Sequence, residues 1–172
     1  KELEDSLRIL QTDRLDLYQL HAVTKPDEVK QILAPGGALE TFQKARAEGK
    51  VRYLGFSAHS EEAAHALLDQ FDFDSVLFPF NFASWWKGRF GPSVHERLVK
   101  QHRGILALKA MAHQQLAPDL RDKSDRPWPK AWYQPLDQID QISLALRFTA
   151  GLPVNALIPP GHWGLFRMAL DL

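Results

Sequence analysis

The sequence predicts an α/β fold in which parallel strands are joined by helical crossovers. Three observations carry that expectation. Apolar residues recur with helical and strand periods, alternating from one end to the other. Glycine, proline and acidic residues fall where the alternation needs its starts and stops. And 172 residues, 45% apolar and 24% charged, suffice for one sizeable core.

Leu3, Leu7 and Leu10 mark a first helix, and Leu15 to His21 (LDLYQLH) reads as a short apolar strand. A loop with Pro26, Pro35 and Gly36-Gly37 is expected next. Leu39, Phe42, Ala45 and Arg46 mark a helix closed by Glu48-Gly49-Lys50, where glycine suits a left-handed stop. Val51 to Ser57 (VRYLGFS) is the second strand. Ser60 followed by Glu61-Glu62 begins a helix with an N-cap oxygen and acidic residues at its positive end, running to Phe71. Ser75 to Phe80 is the third strand, Ser93 to His102 a helix that Gly104 ends, and Ile105 to Lys109 the fourth strand. A long loop from Ala112 to Pro135 precedes a helix from Asp137 to Ala150. Val154 to Pro159 is the fifth strand, and a last helix starts near Gly164.

Two architectures fit five such strands, an open doubly wound sheet or part of a (β/α)₈ barrel. A whole barrel takes ~250 residues, roughly 31 per βα unit, so this length holds between five and six units. No repeat beyond the βα unit and no linker is visible, so residues 1–172 read as a single domain. Lys1 and Leu172 both fall inside apparent helices, and the ends look cut, as if strands before residue 1 were absent.

Composition excludes several functions. Lysine plus arginine and aspartate plus glutamate both number 21, a net charge of zero, and the pI is about 7.2. That balance argues against a nucleic-acid partner or a polybasic membrane anchor. The absence of cysteine removes disulfides, thiolate nucleophiles and cysteine-held metals. No apolar run approaches the ~20 residues of a membrane span. The charged opening Lys1-Glu2-Leu3-Glu4-Asp5 is no signal peptide, so a cytoplasmic protein is expected.

In either architecture ligands bind at the carboxyl ends of the strands. The candidates there are His21-Ala22, Ser57-Ala58-His59, Asn81-Phe82, Lys109-Ala110-Met111 and Pro159-Pro160-Gly161-His162. Strand alternation puts His21 on the face of Leu15, Leu17 and Gln19, and Ser57 on that of Tyr53 and Gly55, leaving Leu54 and Phe56 to the helices. No strand end pairs two carboxylates, as glycoside hydrolysis needs. Phosphate-binding glycine loops, HExxH, EF-hand loops and the GxSxG elbow are absent. Each candidate also has a structural reading. His21 can be a core histidine bonded to a carbonyl, Ser57 a turn cap, and Lys109 an ammonium snorkelling to the rim. Trp85, Trp86, Trp128, Trp132 and Tyr133 either wall an apolar pocket or pack the long loops. Asn81 is expected to fix its own turn. A metal hydrolase built on His21 and His59 lacks further ligands at the other strand ends, so no metal is expected.

SLRILQTDRLDLYQLH (Ser6 to His21) and ALETFQKARAEGKVRYLGFSAHS (Ala38 to Ser60) resemble the middle of an aldo-keto reductase. The resemblance continues through VLFPFN, AWYQPL and ALRFTAGLPVNALIPPG, nearly the whole chain. It implies a partial (β/α)₈ TIM barrel in which the five strands are the fourth to the eighth, and an oxidoreductase that moves hydride from NADP or NAD cofactors to an aldehyde or ketone. It assigns His21 as the donor to the substrate carbonyl oxygen, an incipient alkoxide that needs a preplaced hydrogen bond. It assigns Ser57 to the nicotinamide carboxamide and the turn and helix start from Gly161 to Leu165 to a cofactor phosphate. Lys109 and His162 are further cofactor-binding candidates by their position alone.

The departures from the family pattern matter too. Its proton-donating tyrosine, lysine and aspartate precede the fourth strand, and Tyr18, Tyr53 and Tyr133 do not replace that tyrosine. Ala58 stands where asparagine is usual, Leu77 where a nicotinamide-binding glutamine is frequent, and Leu108 near where an aromatic often stacks. Alone, the chain is expected to be inactive. The expected partners are a small carbonyl substrate and a missing half-barrel or oligomer partner. The alternative is a catalytically dead remnant or regulatory subunit that binds nucleotide or a protein partner.

Overall fold

The structure, a computed structural model, describes residues 2–121 and 125–172. Residues 122–124 of the expected long loop lie outside the described residues, as does Lys1. The chain divides into two compact units, Lys1–Leu77 with His102–Gly104, and Phe78–Gln101 with Ile105–Leu172.

The first unit runs α1 (Glu2–Leu10), β1 (Leu15–Val23), α2 (Pro26–Leu33), α3 (Ala38–Ala47), β2 (Val51–Ala58), α4 (Glu61–Gln70) and β3 (Ser75–Phe78), whose last residue opens the second unit. β1 and β2 are parallel, in register from Leu15↔Val51 to Leu20↔Phe56. β2 and β3 are parallel from Gly55↔Ser75 to Ser57↔Leu77. Leu54 and Phe56 are fully buried, together with Ala63, Leu67, Phe73 and Val76, while Tyr53 on the other face of β2 is 42% exposed. The alternation of β2 thus divides its side chains as expected.

Two helix boundaries follow directly from local chemistry. α3 ends in a Schellman motif: Gly49 (φ 76°) donates to Arg46 O at 3.0 Å and Lys50 to Ala45 O at 3.0 Å. Ser60 caps α4, its Oγ accepting from Ala63 N at 3.2 Å.

The expected loop after β1 is instead mostly helix. Pro26 sits at the start of α2, where its missing N–H costs nothing. The Glu28 carboxylate folds back to accept from Thr24 N at 2.6 Å and Lys25 N at 3.0 Å. Those two backbone donors hold its pKa below the usual carboxylate range. Proline reads as a breaker in a sequence, but here it is an initiator, and Pro35-Gly36 is the breaker.

The second unit contains a π-helix (Ala83–Lys87), α5 (Pro92–Lys100), β4 (Gly104–Leu108, its first residue in the first unit), β5 (Ala112–Gln114), a 3₁₀ turn (Pro118–Leu120), β6 (Gln134–Pro135), α6 (Ile139–Ala150), β7 (Ala156–Ile158) and α7 (Trp163–Leu170). β4 and β7 pair in parallel from Leu106↔Ala156 to Leu108↔Ile158. Five strands are therefore parallel, β1 to β3 in one unit and β4 and β7 in the other. Met111, Ile142 and Leu165 form a buried cluster against which Trp128, Leu136 and Met168 pack.

Two strands are shorter than expected, and β4 begins and ends one residue early. β3 stops at Phe78 because Pro79 has no N–H to extend the ladder, and Phe80 N turns back onto Phe78 O at 2.7 Å. β4 stops at Leu108, because Lys109 takes a left-handed φ of 61°. β7 is trimmed to Ala156–Ile158 between Pro153 and Pro159-Pro160. The expected loop from Ala112 to Pro135 holds an antiparallel pair, β5 with β6. Among the described residues no helix is long and apolar enough to cross a membrane.

Candidate active site

In the first unit the site is built on a break in β1. The register with β2 shifts between Leu20 and Val23, a bulge, and Ala22 adopts φ 53°. The extra residue turns the chain so that Leu20 and Val23 are buried at 7% and 3% exposure while His21 between them faces solvent. The bulge is pinned from β2, where Ser57 Oγ accepts from Ala22 N at 2.6 Å. Ser57 is 4% exposed, so its oxygen is committed to this bond and its hydroxyl hydrogen remains to donate. A pocket of 290 Å³ opens beside the bulge, lined by His21, Ala22, Val23, Glu28, Gln31 and Ile32. That is near the lower end of the ~300–1,000 Å³ of small-molecule pockets. The floor below Ser57 is tight: a Cβ on Gly55 would lie 2.5 Å from Ser75 Oγ and 3.0 Å from Gln19 Nε2.

In the second unit Lys109 follows β4. Its ammonium stands 5.7 Å from the centre of the Tyr133 ring, and burial holds its pKa below the usual lysine value. Burial likewise pushes the Tyr133 phenol up. Gly161 and His162 lead into α7, with His162 as its N-cap residue. His162 Nδ1 is buried and has no partner, whereas a Cβ on Gly161 would meet nothing within 4 Å. The backbone before α7 is therefore open to close approach. Of the aromatics, Trp85 packs at 5.3 Å from His95 and 6.1 Å from Phe148, and Trp128 joins the buried cluster. Trp86 and Trp132 are 65% and 86% exposed. Asn81 does fix its own turn, Oδ1 accepting from Ser84 N at 3.0 Å. Among the described residues no group of three histidine, aspartate or glutamate side chains could hold a metal ion.

Residues 1–117 match the family model described as the Aldo/keto reductase family. The chain belongs to that family. It is 29% identical over 79 residues to the uncharacterized oxidoreductase YqkF of Bacillus subtilis, an alignment covering 46% of this chain and 24% of that protein. Among solved structures it resembles an aldo-keto reductase of Bacillus halodurans in its holo form, at TM-score 0.61 and 19% identity over 99% of this chain and 56% of that one. It also resembles an aldo/keto reductase of Klebsiella pneumoniae in complex with NADP and acetate, at TM-score 0.54 and 20% identity over 98% of this chain and 56% of that one. The chain thus spans little more than half the length of these aldo-keto reductases, and its fold is the corresponding five-strand part of a (β/α)₈ barrel.

Within this family member the predicted residues fall into separate groups. His21 and Ser57 are joined through Ala22, and Lys109 stands by Tyr133. Gly161 and His162 are consecutive before α7. Two features escaped the sequence. The bulge at Ala22 has no glycine to announce it. The buried Asn81 amide, whose Nδ2 has no partner, looked from sequence like an ordinary turn residue.

Proposed function

We propose that this chain belongs to an NAD(P)H-dependent oxidoreductase that reduces an aldehyde or ketone, with His21 as the catalytic hydrogen-bond donor to the carbonyl oxygen. The observation that carries the reading is the bulge at Ala22, pinned by Ser57 at 2.6 Å, which turns the His21 imidazole out at the carboxyl end of a barrel strand and beside a pocket. Strained backbone and bulges gather where a side chain must be aimed.

The residues of the second unit suit a dinucleotide. An open backbone at Gly161 and an unpartnered His162 nitrogen at the start of α7 suit a phosphate, and Lys109 brings a cation. The relative from Klebsiella pneumoniae was solved with NADP. When bound, such a cofactor supplies the hydride. His21 holds the carbonyl oxygen and stabilises the negative charge that grows there. Ser57, with its oxygen fixed by Ala22, keeps one O–H to donate to the carboxamide. The proton that completes the alcohol comes from an acid ahead of β1 in the family's order, so the 172 residues alone are expected to bind nucleotide without turning over.

The test is carbonyl-dependent oxidation of NADPH and NADH by the intact enzyme and its His21→Ala variant. Loss of one oxyanion donor predicts a fall in kcat of ~10²-fold or more. Turnover near wild type in a folded His21→Ala enzyme contradicts the assignment.

A further inference from the structure

α2 turns one side to the pocket beside His21. Gln31 and Ile32 stand three and four residues after Glu28, so the three share one side of the helix. All three line the 290 Å³ cavity together with His21 and Val23. The other charges of the helix, Asp27 and Lys30, pair with each other at 2.9 Å and lie off the lining. Glu28 is therefore the carboxylate that the cavity sees.

Backbone neighbours hold that carboxylate in place. Its Oε2 accepts from Thr24 N at 2.6 Å, from Thr24 Oγ1 at 3.0 Å and from Lys25 N at 3.0 Å. These donors, the Thr24 amide above all, keep its pKa below the usual carboxylate range, so it is ionised at neutral pH. An ionised carboxylate only accepts, with about four lone-pair sites on its two oxygens. Oε2 has spent its share, and no described residue donates to Oε1. The cavity thus contains the imidazole of His21 and a fixed acceptor with unfilled capacity.

Size and charge narrow what fills it. At ~30 Å³ per water in the liquid, the cavity has room for roughly ten waters, which suits a molecule of a few carbons. Val23 and Ile32 offer such a chain an apolar wall. The Lys25 ammonium also acts on Glu28, and with the amide donors it offsets part of the negative charge. A second cation would meet a partly neutralised partner, whereas a neutral hydroxyl needs only a directed lone pair.

We propose that Glu28 is a specificity-determining residue whose Oε1 accepts a hydrogen bond from a hydroxyl on a short carbonyl substrate, the oxygen of whose carbonyl is held by His21. A site built to bond a hydroxyl rejects the analogue that lacks it, because the acceptor is then left unpaired. This deepens the proposed carbonyl reduction and rests on it for the role of His21.

The test is steady-state reduction of glyceraldehyde and of propanal by the intact enzyme and its Glu28→Gln variant. The Thr24 and Lys25 N–H donors select the oxygen of the new amide, so its NH₂ faces the cavity and an acceptor becomes a donor. The ratio of kcat/KM for glyceraldehyde to that for propanal is expected to fall roughly tenfold or more. A merely structural role in starting α2 lowers both substrates together, and an unchanged ratio overturns the proposal. If Glu28→Gln does not fold, Glu28→Asp, its carboxylate withdrawn by one methylene, is read in the same way. Titration of the full chain with glycerol and with 1-propanol, followed by NMR, needs no turnover. Glycerol is expected to shift the His21 and Ile32 signals at roughly tenfold lower concentration than 1-propanol, and Glu28→Gln to abolish the difference. Equal response of the wild type to the two alcohols overturns the proposal, as does tighter binding of propylamine than of glycerol, which assigns the acceptor to a cation. A wild type that reduces neither aldehyde yet keeps the glycerol preference supports the role of Glu28 and removes the reductase reading alone.

Discussion

Ser57 shows how much a single hydroxyl can decide. Its oxygen is the acceptor for Ala22 N, and without it a part-buried N–H at a residue of left-handed φ loses its partner. Ser57→Ala is expected to cost about 1–3 kcal/mol in urea denaturation, with Ser57→Thr restoring most of it. His95 gives the second residue-scale prediction. It is 7% exposed, with rings 5.4 Å (Phe80) and 5.3 Å (Trp85) away, and burial pulls its pKa below 6.5 against the opposing Pro153 carbonyl. The unfolded chain then binds the proton more readily, so stability is full above about 6.5 and falls as pH drops below it toward the folded value. Chemical denaturation at successive pH values should show that slope, and His95→Phe should flatten it. At this scale the sequence was informative where chemistry follows position. The positions of His21 and Ser57 near their strand ends could be read, but the bulge between them could not. Ala22 is a plain alanine, and its φ of 53° is imposed by Ser57 from thirty-five residues away. Asn81 was legible as a turn residue through its Oδ1. Its orphaned Nδ2 is a property of burial, which no single-residue pattern reports.

Helices with their own stop and start chemistry were the legible elements. α3 ends at Gly49 because only glycine takes φ 76° without strain, and α4 begins at Ser60 because its Oγ meets Ala63 N. Gly49→Ala is expected to destabilise by about 1–2 kcal/mol and Ser60→Ala by about 1 kcal/mol, each read as a lowered urea midpoint with an unchanged slope. α2 was missed because Pro26 and Pro35 look alike in sequence, while one opens the helix and the other follows its end. β5 and β6 were missed because such short strands are set by their pairing with each other, Ala112↔Pro135 and Gln114↔Gln134, rather than by local preference. Strand ends were drawn too long wherever apolar residues continue past a proline or a left-handed residue, as at Pro79 and Lys109.

For the whole molecule, alternating periods sufficed for a parallel α/β fold, yet they left a doubly wound sheet and a barrel equally open. The family match over residues 1–117 and the likeness to aldo-keto reductases over 99% of the chain decide for part of a barrel. The central claim is hydride transfer to a carbonyl carbon, and the measurement that tests it most directly follows the hydride itself. The intact enzyme is supplied with nicotinamide cofactor deuterated at the transferring position of the ring, on either face, together with aldehydes and ketones, and the alcohol products are analysed by mass spectrometry and NMR. The account predicts deuterium on the carbinol carbon, from one face of the cofactor only, with the yield collapsing in His21→Ala. Alcohol formed without cofactor deuterium, or no alcohol formed from any carbonyl by a folded, nucleotide-binding enzyme, would contradict it.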